Sequence, residues 1–210
     1  MKLEAGQHIS VLGTTGSGKT FFVRNAILPV YDRVLVVDSE DFDFPDFPAV
    51  SIPKALRLAK SDYSFYARVV IAPSETDKLS ELSRGLLAKG HDLAVYVDEI
   101  TDWTTPSTIP DDVRNLVRKA RKRNISVIVG TQRPQFLNKA FLTNSTHRFY
   151  FYTSDYDRAA IRDYAPWMEE RCGEIPYGSW RCLYQAPDGG LTLVAPATPY
   201  SWTQRGKRKK

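Results

Sequence analysis

Gly13-Thr14-Thr15-Gly16-Ser17-Gly18-Lys19-Thr20 decides how the rest of the chain is read. It fits GxxxxGK[ST], a loop whose backbone N–H groups wrap phosphates while the lysine reaches the β- and γ-phosphates and the hydroxyl addresses Mg²⁺. An apolar run, His8-Ile9-Ser10-Val11-Leu12, leads in, and Phe22, Val23, Ala26 and Ile27 follow at helical spacing. Strand, glycine loop and helix thus stand in the order the motif requires. The glycines let the main chain approach the phosphates, and the helix N-terminus adds partial positive charge. A Gly/Ser/Thr-rich surface turn that meets the pattern by chance is the alternative, and the flanking strand and helix argue against it.

Working outward, Arg33-Val34-Leu35-Val36-Val37-Asp38 is a continuous apolar run suited to a parallel strand covered on both faces. An acidic loop with Glu40, Asp41 and Asp43 runs on to Pro48. A strand is expected at Arg68 to Ala72, then a helix from about Ser74, with Asp77 as its capping partner and Leu79, Leu82 and Leu86 inside. Leu93-Ala94-Val95-Tyr96-Val97 reads as the next buried strand and delivers Asp98 and Glu99 at its carboxyl end, the edge where open α/β sheets bind ligands. After a Thr/Pro-rich loop from Thr101 to Pro110, a helix opens at Asp111-Asp112 and closes at Lys119 to Arg123. Ile125 to Val129 forms a strand ending in Gly130-Thr131-Gln132-Arg133-Pro134. Further strands are expected at Arg148 to Tyr152, Trp180 to Gln185 and Leu191 to Val194, the last two flanking the turn signal Asp188-Gly189-Gly190. Alternating strands and helices predict a three-layer α/β fold with a mainly parallel sheet and a C-terminal β-hairpin.

The 210 residues, 42% of them hydrophobic, suit one domain, expected over 1–204. Of the net charge of +5, five positive charges lie in Arg205 to Lys210, so the remainder is neutral and the basic character belongs to a tail expected to be disordered. Contact with nucleic acid and simple solubilisation are equally good readings of that tail. No stretch is apolar enough to cross a bilayer, which leads us to expect a soluble, cytoplasmic protein. Cys172 and Cys182 fit no zinc pattern and are expected as free thiols, a single hairpin-spanning disulfide being the alternative.

Hydrolysis of a triphosphate needs charge neutralisation, positioning and an activated water. Lys19 suits the β- and γ-phosphates, Thr20 and Asp98 suit Mg²⁺, and Glu99 is placed to act as general base. Gln132, ending the next strand, suits the γ-phosphate or the water. Ordinary polar strand ends are the bland reading of the last three.

Gly13 to Lys19, the Asp98-Glu99 pair and above all Thr131-Gln132-Arg133-Pro134 after a basic helix resemble the FtsK/HerA superfamily of DNA-pumping ATPases, over about residues 7–150. The resemblance implies a RecA-like core, ATP and Mg²⁺ as cofactors, a homo-oligomeric ring, usually a hexamer, and double-stranded DNA moved through its channel. Small motors without appended domains resemble the genome-packaging ATPases of tailless, membrane-containing double-stranded DNA viruses. Packaging is therefore the expected process, with capsid or portal-vertex proteins as further partners and the host cytoplasm or the virion as location. Asp38-Ser39-Glu40 departs from the Pro-Lys-Gly-Glu-like run of several members.

In the basic helix, Val113, Leu116, Val117 and Ala120 form an apolar stripe opposite Arg114, Arg118, Arg121 and Lys122. Alone this is a solvated face. In a ring, Ala120-Arg121-Lys122 resembles the segment that sends an arginine into the neighbour's active site, so Arg121 is the candidate arginine finger, with Arg118 and Arg123 in reserve. Trp103 and its loop are expected either to face the channel or to form a lid. The competing functions are a conjugation or segregation motor, a small-molecule kinase, and a phage morphogenesis ATPase that does not act on DNA.

Overall fold

Alternation along the strands explains how one sheet comes to be covered on both faces. In the computed structural model, which describes residues 2–39 and 44–202, the strands are β1 (Ile9–Leu12), β2 (Arg33–Asp38), β3 (Phe65–Val70), β4 (Leu93–Val97), β5 (Ile125–Thr131), β6 (His147–Tyr150), β7 (Cys182–Gln185) and β8 (Leu191–Val194). Leu35 and Val37 of β2, Val95 and Val97 of β4, and Val127 and Val129 of β5 enter one apolar cluster. Their neighbours Val34, Val36, Ala94, Tyr96 and Ile128 enter the other. Successive side chains point to opposite faces, so an unbroken apolar run is what a doubly covered strand requires.

The strand order is β3-β2-β4-β5-β1-β6-β7-β8. From β3 through β6 all neighbours are parallel, and β7 and β8 add an antiparallel hairpin at one side. This is the expected three-layer α/β fold with its C-terminal hairpin. The strand boundaries of β2 and β4 are as read from sequence.

On the first face pack α2 (Ile52–Lys60), α3 (Thr76–Lys89) and α4 (Asp111–Lys119), with α5 (Lys139–Asn144), α6 (Asp155–Ile161) and α7 (Met168–Arg171) following the later strands. The second face is covered by α1 (Lys19–Phe22), the π-turn Val23–Ile27 that continues it, Phe44 and Phe47, and residues 195–202. Those last residues form a strap. Trp202 is buried against Phe47, Tyr66 and Tyr200, its indole N–H donates to the Arg24 carbonyl at 3.2 Å, and the Tyr200 N–H donates to Asn25 at 2.7 Å.

Several expectations need correction. The third strand lies at Phe65–Val70 rather than Arg68 to Ala72, because only Phe65, Ala67 and Val69 are turned inward, an alternation that the run ending in Ile71 obscured. The next helix starts at Thr76, and Ser74 does not cap it; a Glu75 carboxylate oxygen instead accepts the Ala72 N–H at 3.2 Å. Strand β6 ends at Tyr150, two residues early, and β7 starts at Cys182. Both cysteines are free; burial raises the Cys182 thiol pKa, which keeps it inert. The helices α2, α5, α6 and α7 were not read from sequence. Glu40, Asp41 and Asp43 and the basic tail lie outside the described residues. No described helix is long and apolar enough to cross a membrane.

His8, just ahead of β1, is buried: its Nε2 lies 2.8 Å from the Val117 carbonyl and its Nδ1 accepts the Val127 N–H at 3.1 Å. That pattern fixes the neutral ring with the proton on Nε2. Burial, aided by the charge of Arg121, pushes its pKa down to about 4. Below its ordinary pKa the unfolded chain binds a proton that the folded chain refuses, so stability is lost as pH falls from about 6.5 towards 4. We expect roughly 3 kcal/mol of acid destabilisation from this ring. Urea unfolding at pH 7 and pH 4.5 should show a markedly smaller pH effect in His8→Gln than in the unaltered chain.

Candidate nucleotide site

Parallel neighbours bring the ends of β1, β2, β4 and β5 to one edge of the sheet, and the predicted chemistry-bearing residues meet there. The phosphate loop joins β1 to α1. Its Gly13 N–H donates to the Thr131 carbonyl at 3.3 Å and its Thr14 N–H to the Tyr152 carbonyl at 2.9 Å, so the strands on both sides hold it. Gly18 caps α1 in the left-handed region, φ 97°, which is why glycine is required at that step. Lys19 is buried, and its ammonium arches back over the loop to the Thr14 carbonyl at 2.8 Å.

The Thr20 hydroxyl donates to an Asp98 carboxylate oxygen at 3.1 Å. The Tyr96 hydroxyl donates to the same oxygen. One hydroxyl and one carboxylate are the hard oxygen donors that Mg²⁺ takes from a protein when phosphates and water complete its shell, so the pair fits that ion. Among the described residues no group of three or more His, Cys, Asp or Glu forms a metal site of another kind.

Glu99 is held on both carboxylate oxygens. One accepts from Thr131 Oγ1 at 2.8 Å and from the Thr101 hydroxyl; the other accepts the Gln132 N–H at 2.6 Å. The Gln132 side chain in turn accepts from the Thr15 hydroxyl, which ties the phosphate loop to the end of β5. Asp38, Ser39, Asp98, Glu99, Asp102, Gln132 and Arg133 line a polar cavity of about 100 Å³. The structure therefore brings Lys19, Thr20, Asp98, Glu99 and Gln132 to one place, as the sequence predicts.

Arg121 is elsewhere. It follows α4 in the turn Ala120–Arg123, ahead of β5, and donates to Thr146 Oγ1 at 3.0 Å and to the Asn144 carbonyl. The length of β5 puts roughly 20 Å between that edge and Gln132, so Arg121 does not reach its own phosphate loop. It is exposed with Arg118, Lys122 and Arg123, and it lines an open cavity of about 310 Å³ with Thr146, Arg148 and Gln185. Trp103 does not face outward: its indole is buried and its N–H donates to the Ala72 carbonyl at 3.1 Å, leaving Thr105 to Thr108 as the exposed part of that loop. Sequence reasoning missed the supports Tyr96, Thr101 and Thr131. Tyr96 was the most findable, two residues before Asp98 and so on the same face of its strand.

The fold is that of a RecA-like P-loop NTPase core, with the phosphate loop and the strand-end carboxylates at one edge of the sheet. No family model matches the chain. Protein P9 of Pseudoalteromonas phage PM2 is 26% identical over 145 residues, 68% of this chain, and the match spans 66% of that protein's length. In fold the chain is similar to the genome-packaging NTPase B204 of Sulfolobus turreted icosahedral virus 2 in complex with ATP-γS, at 14% identity and a TM-score of 0.76, over 93% of this chain and all of that one. It is likewise similar to the monomer form of the pCW3 conjugation coupling protein TcpA with ATP-γS, at 17% identity and a TM-score of 0.67, over 99% of this chain and 65% of that one. The resemblance drawn from the motifs is thus met in fold by a viral packaging NTPase and by a conjugation protein.

Gly130 explains how closely β4 and β5 converge at the site: a Cβ there would fall 2.3 Å from the Asp98 carbonyl oxygen and 2.7 Å from the Tyr96 hydroxyl. Gly130→Ala should cost roughly 1–3 kcal/mol of stability through this overlap. It should also weaken Mg²⁺-dependent nucleotide binding by displacing Asp98. Urea unfolding and calorimetric titration of the same preparation check both effects.

Proposed function

We propose that this chain hydrolyses ATP as one subunit of a homo-oligomeric ring, a hexamer by analogy with the FtsK/HerA proteins, and drives double-stranded DNA into a preformed viral capsid. The observation that carries this reading is the joining of the phosphate loop to the β4 carboxylates and Gln132 at one edge of the sheet, with Arg121 displayed at the other. The first half of that arrangement supports hydrolysis, and the second supports a ring. The fold likeness to a packaging NTPase supports the process. The likeness to a conjugation coupling protein makes transfer of DNA between cells the second reading.

Lys19 would exchange the Thr14 carbonyl for phosphate oxygens and neutralise the β- and γ-phosphates. Thr20 and Asp98 would hold Mg²⁺, which supplies further charge neutralisation when bound. Glu99 takes the proton of the attacking water; one of its oxygens accepts from both threonines and the other only from the Gln132 N–H, so the second oxygen has acceptor capacity left for the water. Gln132 is bonded both to the loop and to Glu99 through its two ends, so it would report the presence of the γ-phosphate to the base. Arg121, too far from its own site, completes a neighbour's. The basic tail, Arg205 to Lys210, would add contacts to the DNA phosphates. Capsid or portal-vertex proteins are the partners such a motor needs, in the host cytoplasm or on the virion.

Lys19→Ala should weaken ATP binding, whereas Glu99→Gln should keep binding and lose turnover, since it removes the base and keeps the shape. Equilibrium binding and phosphate release on the same preparations separate the two. Full turnover in Glu99→Gln would remove that residue from the mechanism.

Arg121→Ala should bind ATP normally and lose hydrolysis by roughly 10³-fold or more. Mixing it with Glu99→Gln subunits should restore partial activity, because some interfaces then pair an intact base with an intact arginine. Turnover should also rise with protein concentration and with added double-stranded DNA. A dead mixture, alongside unaltered chain whose turnover per subunit is constant down to the monomer, would overturn the ring.

A further inference from the structure

Two exposed aromatic rings stand over the phosphate loop, and the mechanism above does not use them. Trp180 is 45% exposed and Tyr177 is 64% exposed, although both lie against the phosphate loop. A Cβ on Gly18 would come within 3.1 Å of the indole, and a Cβ on Gly16 within 2.9 Å of the Tyr177 hydroxyl. The Trp180 ring is centred 5.2 Å from Phe21, the residue after Thr20, and the Tyr177 ring 5.3 Å from Tyr152. Trp180 also holds a left-handed backbone, φ 55°. A bulky residue in that region is strained and is kept there only when its surroundings fix it, a condition met at ligand clamps.

Topology says which part of a nucleotide would meet these rings. The loop lies at the end of β1, between β5 on one side and β6 on the other. Asp98, Glu99 and Gln132, the groups suited to the γ-phosphate and its water, all belong to the β4 and β5 side. Tyr152 follows β6, and Tyr177 and Trp180 precede β7, so the aromatic group is on the opposite side. A triphosphate with its γ end at Glu99 runs along the loop away from β5 and leaves its nucleoside on the β6 side.

We propose that Trp180, flanked by Tyr177, is the stacking seat for the base of the bound nucleotide. The inference rests on the nucleotide reading of the loop and adds to it the part of the ligand that the motif residues leave unaddressed. A flat π surface, half open to solvent and fixed in place by glycines below it, offers a base stacking without the directional hydrogen bonds that would select one base over another. The seat should therefore favour nucleoside triphosphates over inorganic chains while discriminating weakly between purines.

Calorimetric titration with Mg²⁺-ATP and with Mg²⁺-tripolyphosphate tests this on the unaltered chain, Trp180→Ala and Trp180→Phe. Trp180→Ala should lose about tenfold in affinity for ATP, the scale of one base stacked on an aromatic ring, and keep its affinity for tripolyphosphate. Trp180→Phe, which retains a ring, should keep most of the ATP affinity. Equal losses for both ligands would mean that the indole only braces the loop, and unchanged ATP binding would mean that the base goes elsewhere; either result overturns the seat and leaves the phosphate site standing. An unaltered chain that binds neither ligand would instead remove the nucleotide site itself. Should Trp180→Ala fail to fold, Tyr177→Ala carries the same contrast, with a smaller loss for ATP alone.

Discussion

The hydrogen bonds that Glu99 accepts from Thr101, Thr131 and the Gln132 N–H are the constraint on which the rest of the site depends. They join the ends of β4 and β5, and Gln132 extends the join to Thr15 of the phosphate loop. A change at any member is therefore felt by the others, because all three donors share one carboxylate and loss of the Gln132 N–H would leave its second oxygen without its bond. The same edge supplies Asp98, bonded by Thr20 and Tyr96. Parallel pairing makes this possible: it collects the carboxyl ends of β1, β4 and β5 on one line, where residues far apart in sequence become neighbours.

The opposite edge is built differently. There His8 reads the carbonyl of Val117 and the N–H of Val127, fastening the end of α4 to the start of β5. Arg121 emerges from the turn between those two elements and rests on Thr146 and Asn144. Its charge is one cause of the lowered pKa of His8, so a buried neutral ring and an exposed cation are linked in a single corner. Gln132, which holds the phosphate loop, and this corner lie at opposite ends of one strand, β5, whose seven residues are all buried.

Much of this was legible because the informative residues sit on strongly patterned segments. The runs 33–38 and 93–97 are apolar throughout, and such runs have one reading when turn signals bound them. The phosphate loop, Asp98, Glu99 and Gln132 were found because each follows directly on such a strand. What escaped was what depends on distant packing. Residues 65–70 form an edge strand that shows its inward face only at every second position, so the longer apolar run at 68–72 masked the true start. The short helices after β5 and β6 carry too few turns to show a period. Trp103 looks like a loop aromatic by sequence, and only the carbonyl of Ala72, which belongs to a different βα connection, makes it core. Tyr177 and Trp180 lie more than 150 positions from the loop they cover, beyond what spacing can reveal.

The strap at 195–202 gives the chain a mechanical property. Trp202 is gripped by Phe47, Tyr66 and Tyr200 and bonded to the carbonyl of Arg24, and Tyr200 is bonded to Asn25. Both of those anchor points lie in the turn that continues the helix begun by Lys19 and Thr20. A load applied to the chain beyond Trp202 would therefore be shared between the turn that continues from the phosphate loop, through Arg24 and Asn25, and the edge strand β3, through Tyr66, so tension at the C-terminal side has a short route to the nucleotide-facing end of the molecule.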